Sequence, residues 1–149
     1  MAITVRAAGP ADREACVGLL TAQLVEHHLP ADPAGIAAGV DLALAPHSPA
    51  WLLLAEREGV PVGIVLANQI VSVEQCGYTL WVEELYVVPE ARRRGVATAF
   101  LDYFAGEGRR RGVRAVELEV VPTQAAAFAL YRGRGFADVH RQRMTWRLG

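Results

Sequence analysis

One segment constrains the fold of this chain more than any other, the run from Leu85 to Ala97. It begins as an apolar strand, turns at Pro89, carries three consecutive arginines and then reaches a glycine and a small residue that open an amphipathic stretch. A strand that leads into a helix directs unsatisfied backbone N–H groups and the positive end of the helix dipole toward the loop. With arginine charge beside them, these groups predict a binding site for phosphate.

Length and composition indicate one compact domain, which we expect to cover residues 1–149. Of the 149 residues, 52% are hydrophobic and 21% are charged, as in an ordinary folded protein rather than a disordered segment. The sequence has no apolar run near the ~20 residues of a membrane span and no signal-like start, so we expect a cytoplasmic protein with no membrane partner. The two cysteines have no metal-ligand spacing, and we expect no metal site.

Charge is divided unevenly along the chain. Residues 1–90 hold three arginines and eleven acids, whereas residues 91–149 hold twelve arginines and five acids. The basic half contains the predicted phosphate loop and suits a polyanionic ligand, while the acidic half favours a cationic partner. We expect no nucleic-acid partner, because the arginines are scattered and the net charge is -1. All fifteen basic residues are arginine, which excludes a lysine Schiff base.

Hydrophobic periodicity predicts the element order β-α-α-β-β-β-α-β-α-β. The predicted strands cover about residues 3–6, 51–56, 62–67, 79–88, 113–121 and 139–148. The predicted helices begin near residues 10, 33, 96 and 124, and Thr123 is the predicted cap of the last one. Two strand–helix–strand units in the second half imply a mixed sheet covered by helices.

Two motifs resemble those of one family, and the predicted order of helices and strands resembles that family along essentially the whole chain. Arg92-x-x-Gly95-x-Ala97 resembles the acetyl-CoA signature of the GNAT superfamily of N-acetyltransferases, Gln/Arg-x-x-Gly-x-Gly/Ala. The family's Asn-x-x-Ala-x-x-Leu-Tyr followed by Gly-Phe has a counterpart in residues 124–131 followed by Gly135-Phe136, with Gln124 in place of asparagine. The resemblance implies an α/β fold with a mixed, mainly antiparallel central sheet, helices on both faces, and strands that splay between the fourth and fifth.

The resemblance also implies acetyl-CoA as co-substrate, with no metal. Backbone N–H groups from Arg93 to Thr98 would hold the pyrophosphate, and Gly95 would leave room that a Cβ would fill. The backbones of Leu85 and Val87 would pair with the pantetheine arm, and the Val87 N–H would donate to the thioester oxygen. The full expected set of contacts is Leu85, Val87, Arg92, Arg93, Arg94, Gly95, Val96, Ala97, Thr98, Gln124 and Tyr131.

Acetyl transfer to an amine needs a base and an acid. Tyr131 is the predicted acid for the departing thiolate, and a lowered tyrosine pKa would remove a deficit of roughly 2 kcal/mol. Glu83 and Glu84 resemble the carboxylate pair of diamine acetyltransferases, in which the first acts through water. Alternation on a strand sends the two to opposite faces unless a bulge intervenes. We favour Glu83 as base, Glu84 as a substrate or structural contact, and Trp81 as a wall of the acceptor pocket.

The predicted function is transfer of the acetyl group of acetyl-CoA to the primary amine of a small cationic acceptor, by direct attack in a ternary complex. Two alternatives stay open. One is a protein N-terminal or lysine acetyltransferase. The other is a non-catalytic acyl-CoA-binding module, for which Gln124 is the argument. The identity of the acceptor, the choice of Glu83, Glu84 or water as base, and the oligomeric state, with a homodimer among the options, are not fixed by the sequence.

Overall fold

The structure, a computed structural model, describes residues 2–149 and contains four helices and five strands. The helices are α1 (Arg13–Glu26), α2 (Pro33–Leu44), α3 (Val96–Arg110) and α4 (Ala125–Arg134). The strands are β1 (Ile3–Ala7), β2 (Ala50–Arg57), β3 (Val60–Ser72), β4 (Gly77–Val87) and β5 (Val113–Leu118). The chain divides into two compact units, one ending at Leu118 and one covering Glu119–Gly149. The single domain expected over residues 1–149 stays a prediction.

The first unit is built on a five-stranded sheet in the order β1-β2-β3-β4-β5. Neighbouring strands are antiparallel except β4 and β5, which are parallel and are joined by α3. This confirms the predicted mixed, mainly antiparallel sheet. The β4–β5 pairing runs from Tyr78 with Val113 to Val82 with Leu118. Within the first unit, residues 83–87 of β4 therefore pair only with β3, and the sheet opens between its fourth and fifth strands.

Helices cover both faces of this sheet, as predicted. Cys16 of α1 and Val40 of α2 pack in one buried cluster with Ile64 of β3. Gly63, the preceding residue of β3, faces α3, since a Cβ there would lie 3.2 Å from the ring of Phe100. Consecutive strand residues point to opposite faces, so α1 and α2 lie on one face and α3 on the other. Burial of each large apolar side chain contributes about 1.5–3 kcal/mol.

An ion-pair network holds the start of α1 to the sheet. Arg6 of β1 forms ion pairs with Asp12, at 2.8 Å, and with Glu56 of β2. The Gly9 N–H donates to the same Asp12 carboxylate at 2.8 Å. The Arg6 guanidinium, helped by the Gly9 N–H, lowers the pKa of Asp12 to about 2. Asp12 thus ties the start of α1 to the nearby β1, and Arg6 extends the network to Glu56 of β2.

The end of the chain departs from the prediction. The strand predicted over 139–148 is wrong, because residues 136–149 form neither helix nor strand. A strand needs a neighbour for its backbone hydrogen bonds, and α4 is the one element of the second unit. None of the helices formed by residues 2–149 has the length and apolar character needed to cross a bilayer.

Candidate functional site

The predicted phosphate loop leads into the first turn of α3. Gly95 is the N-cap residue, and its carbonyl accepts the N–H of Ala99 at 2.9 Å. The N–H groups of Val96, Ala97 and Thr98 precede that bond and have no acceptor within the helix. The first turn contains no acid, and a Cβ built on Gly95 would meet nothing within 4 Å. The residues present therefore fit a phosphate group.

The backbone conformation favours glycine at residue 95. Its φ of 84° lies in the left-handed region, where a side chain costs roughly 1–2 kcal/mol. This reason adds to the one expected from the sequence, that glycine leaves room for a phosphate which a Cβ would fill. Arg93, two residues earlier, also has a positive φ, of 61°. The turn into α3 is thus a tight one with two left-handed residues.

The three arginines of the loop differ in their surroundings. Arg92 Nη2 lies 2.5 Å from the carboxylate of Glu26 at the end of α1, and Arg92 Nε donates to the Val87 carbonyl at 3.0 Å. All three arginines are exposed. Arg92 fastens α1 to the end of β4 through these two contacts. The expected contact of its side chain with a phosphate stays a prediction, and it would compete with the ion pair to Glu26.

The backbone of β4 presents groups to the open side of the sheet. The Val88 N–H donates to the Val62 carbonyl at 2.9 Å, so these two residues form a hydrogen-bonded antiparallel pair. Such pairs alternate with non-bonded ones, and the register therefore makes Val87 and Leu85 non-bonded positions. Their N–H and C=O groups point away from β3. This is the direction that the sequence argument requires for pairing with an extended ligand.

Gln23 of α1 is a residue that the sequence argument missed. It is 6% exposed, and its Nε2 lies 3.5 Å from the Leu85 carbonyl. Its Oε1 is buried and has no hydrogen-bond partner among residues 2–149. The signal available in the sequence was a polar residue on the apolar face of α1. Gln23 thus places an amide at the edge of β4 where the backbone of Leu85 faces outward.

A β-bulge brings the two predicted carboxylates to one cavity. The β3–β4 register pairs Leu66 with Glu84 and Ala67 with Val82, so Glu83 is an extra residue on β4. Glu83 and Glu84 both line a cavity of about 150 Å³. Regular alternation predicted opposite faces for the pair, with a bulge as the exception. The structure has the bulge.

This space, called the acceptor cavity below, is otherwise lined by apolar residues. They are Leu20 and Leu24 of α1, Leu52 of β2, Leu66 of β3, and Ile36, Gly39, Val40 and Ala43 of α2. Trp81, predicted as a wall of the pocket, is not among the lining residues. Its indole N–H instead donates to the Glu83 carboxylate at 3.0 Å. Trp81 therefore orients one of the two carboxylates.

A second cavity in the first unit is less suited to a cationic ligand. A cavity of about 170 Å³ is lined by Trp51, Tyr103 and Arg111 among others but contains no carboxylate. Arg111 at its edge is ion-paired with Glu107 at 2.8 Å. Within residues 2–149, no three His, Cys, Asp or Glu side chains are grouped so that they could hold a metal ion. The carboxylate-lined space is the better acceptor site.

The second unit carries the other two predicted residues. Gln124, not Thr123 as predicted, is the N-cap residue of α4. The Gly135-Phe136 pair ends the helix, because Gly135 has a φ of 101° and the Phe136 N–H donates to the Tyr131 carbonyl at 3.0 Å. The Tyr131 ring packs against Phe136. Burial raises the pKa of Tyr131 above its ordinary value, opposite to the lowered pKa that would assist a proton donor.

Comparisons with known proteins give consistent relatives. The "IAA acetyltransferase" of Azospirillum brasilense is 36% identical over 86 residues, which are 58% of this chain and 54% of that protein. This chain thus matches only about half the length of that relative. A possible acetyltransferase from Clostridium difficile 630 has the same fold, with a TM-score of 0.85, 17% identity and 99% of each chain covered.

The structure of AAC(6')-Iy with the bisubstrate analogue CoA-S-monomethyl-acetylneamine has a TM-score of 0.82 and 21% identity, with 99% of each chain covered. The sequence pattern of the acetyltransferase (GNAT) family matches residues 17–136, which is most of the chain and includes the phosphate loop, the β4 carboxylates and α4. The mixed sheet and its helices agree with that match. This chain belongs to the acetyltransferase (GNAT) family.

Proposed function

We propose that this protein transfers the acetyl group of acetyl-CoA to the primary amine of a small cationic acceptor. One observation carries the proposal: Glu83 and Glu84 meet on one cavity, directly before the β4 residues whose N–H groups face outward. GNAT enzymes use acetyl-CoA as co-substrate. The bisubstrate analogue bound to AAC(6')-Iy joins CoA to an amine-bearing acceptor, which supports an amine for this chain as well.

The loop and β4 would bind acetyl-CoA. The N–H groups of residues 96–98 would bind the pyrophosphate, with Arg93 and Arg94 adding charge. Acetyl-CoA supplies the thioester carbonyl that is attacked. The outward N–H of Val87 would donate to its oxygen. The N–H of Leu85 has the same direction and lies closer along the strand to Glu84, so it is the second candidate for this donor.

The two carboxylates would bind the acceptor amine and assist its deprotonation. In the reaction the amine nitrogen bonds to the carbonyl carbon, the C–S bond breaks, the amine loses a proton and the thiolate gains one. An amine near pKa 10.4 and a glutamate near 4.3 differ by about six units, or ~8 kcal/mol. Direct abstraction by an ordinary glutamate is therefore too costly. Glu83 and Glu84 would instead attract the ammonium and position water molecules through which its proton passes to bulk solvent.

Tyr131 remains the proposed proton donor to the thiolate, on the strength of its motif. Because burial raises its pKa, Tyr131 stays protonated at neutral pH, as a donor must. The same shift makes donation to a thiol of ordinary pKa more uphill than the roughly 2 kcal/mol between the free groups. The proposal therefore expects a Tyr131→Phe variant to lose turnover while it keeps its affinity for CoA, and equal turnover would remove Tyr131 from the mechanism.

Two measurements test the proposed function. Calorimetry with CoA tests the loop, and thiol release from acetyl-CoA across small amines, aminoglycosides and peptides tests the transfer. We expect CoA binding together with turnover of small amines. CoA binding with no turnover would favour the non-catalytic module, and turnover confined to peptides would favour a protein acetyltransferase. Absence of CoA binding by the folded protein would contradict the transferase proposal altogether.

A further inference from the structure

The charged residues of the acceptor cavity lie on one wall, and its other walls are apolar. Glu83 and Glu84 of β4 are its charged residues, and its other lining residues are aliphatic side chains or glycine. Leu20, Val40 and Leu52 are buried, with 8%, 2% and 5% exposed. Beyond the two carboxylates, no lining side chain has a hydrogen-bonding group. The cavity is open to solvent on one side, and a ligand in it therefore finds acidic residues on the β4 wall and hydrocarbon on the other walls.

This division discriminates between classes of amine. A hydroxyl or a second ammonium directed at the aliphatic walls would lose water and gain no partner, which costs roughly 1–3 kcal/mol for a neutral polar group and more for a charge. An apolar group in the same place would gain about 25 cal/mol for each Å² removed from water. A cavity of about 150 Å³ is of the size that holds benzene in an engineered protein core.

We propose that the acceptor is a monoamine whose single ammonium lies at Glu83 and Glu84 and whose body is an apolar group of about benzene size. This inference rests on the proposed acetyl transfer and narrows its acceptor. The two carboxylates attract the cation, and the aliphatic walls formed by α1, α2, β2 and β3 select against polyamines and polyhydroxylated amines. The acceptor thus differs in chemical class from the neamine part of the analogue bound to AAC(6')-Iy.

Gly39 sets the room available in this cavity. It lies inside α2 and lines the cavity, and a Cβ built on it would meet nothing within 4 Å. Its φ is not in the left-handed region, so the backbone does not require glycine there. A glycine inside a helix costs about 1 kcal/mol relative to alanine. Gly39 is exposed and also lines the cavity, so a large side chain there would reduce the space for the acceptor's body.

The first experiment compares two acceptors of equal length in a thiol-release assay with acetyl-CoA. Hexylamine carries one ammonium, and hexamethylenediamine carries a second one at the far end of the same chain. We expect kcat/KM for hexylamine to be higher by at least about tenfold, with benzylamine comparable to hexylamine and an aminoglycoside below both. Equal or better use of the diamine or the aminoglycoside would overturn the inference and leave the proposed acetyl transfer standing. Turnover of no amine by protein that binds CoA would overturn both.

The second experiment uses matched glycine variants. Gly39→Leu should lower kcat/KM for hexylamine and benzylamine by about tenfold and spare methylamine, which does not need the apolar space. Gly18→Leu is the control, because Gly18 lies inside α1, is exposed and does not line the cavity. CoA affinity, measured by calorimetry, reports on folding in both variants. An unchanged ratio of hexylamine to methylamine activity in folded Gly39→Leu would contradict the inference.

Discussion

The phosphate loop and the acceptor cavity are two parts of one proposed site, and they are built in different ways. The loop is a continuous stretch, Arg92–Thr98, whose geometry follows from a glycine with positive φ and a helix start. The cavity is assembled from α1, α2, β2, β3 and β4, and its carboxylates share it because of a bulge. The geometry of a contiguous site is determined by neighbouring residues in the sequence, whereas that of an assembled site depends on how distant segments pack.

The loop and the cavity should also differ in how strongly substitutions change what they bind. The loop would bind through backbone N–H groups, which every residue except proline supplies, so its proposed function depends mainly on conformation. The cavity would bind through side chains, so each substitution would change what fits. On this comparison the loop is suited to a constant co-substrate and the cavity to an acceptor that differs between relatives. Four predictions test the contrast, beginning with the largest expected effect.

Removal of both carboxylates should abolish most turnover without touching the loop. A Glu83→Gln, Glu84→Gln double variant should lose about a hundredfold in kcat/KM for amine acceptors, because the ammonium would enter the cavity with no opposite charge. CoA affinity should stay within about twofold. Each single variant should lose less than half of that effect in logarithmic terms, since both carboxylates face one cation.

Glu14→Gln is the control for the carboxylate variants, since Glu14 is an exposed acid of α1 outside the cavity. Steady-state kinetics and calorimetry on the same preparations separate the two ends of the site. If the double variant bound CoA tenfold more weakly, the two parts would not be independent and the comparison would fail.

The loop should instead respond to backbone conformation. Gly95→Ala should weaken CoA binding by about tenfold, because alanine resists a φ of 84° by roughly 1–2 kcal/mol and its Cβ enters the open space over the helix N-terminus. Gly106→Ala is the matched control, since Gly106 lies inside the same helix, is exposed and has open space for a Cβ. Calorimetry should show unchanged CoA affinity in the control, and equal losses in both variants would rule out a special role for Gly95.

The contiguous loop could be predicted from the sequence more completely than the assembled cavity. The strand–loop–helix unit and the five strands of the sheet could be predicted, because periodicity, proline and glycine act over a few residues. The strand predicted over 139–148 is wrong, because a strand also needs a neighbour in space. The shared cavity of Glu83 and Glu84 could not be predicted, because no glycine or proline marks the bulge opposite Leu66 and Ala67. Arg92 is a similar case. Its partner Glu26 is 66 residues away, and no local pattern indicates that pairing.

The arginines provide a smaller test of the loop. Arg93→Gln and Arg94→Gln should each weaken CoA binding by roughly threefold, since each removes an exposed charge beside the pyrophosphate. Arg92→Gln should change CoA affinity less and should instead lower the free energy of unfolding by about 1 kcal/mol or less, because its ion pair with Glu26 is partly exposed. Calorimetry and urea denaturation distinguish the two effects. A larger loss of CoA affinity in Arg92→Gln than in the other two would restore the phosphate contact predicted for it.

The smallest expected effect concerns the ion pair between Arg6 and Asp12 that holds the start of α1, and with it one wall of the cavity. The Arg6 guanidinium lowers the pKa of Asp12 from 3.8 to about 2, so the ionised carboxylate stabilises the fold fully above about pH 4. That contribution is lost as the pH falls toward about 2. Asp12→Asn should therefore cost about 0.5 kcal/mol or less near neutral pH and should flatten the fall of stability between pH 4 and 2.

Glu14→Gln, at an exposed position of α1, is the control for the Asp12 variant. Urea denaturation at several pH values should show the wild-type slope in the control and a shallower slope in Asp12→Asn. Equal slopes in all three proteins would mean that Asp12 does not anchor α1 through its charge. Apolar packing alone would then position α1 beside the cavity. In that case ion pairs would play no part in the difference between the loop and the cavity.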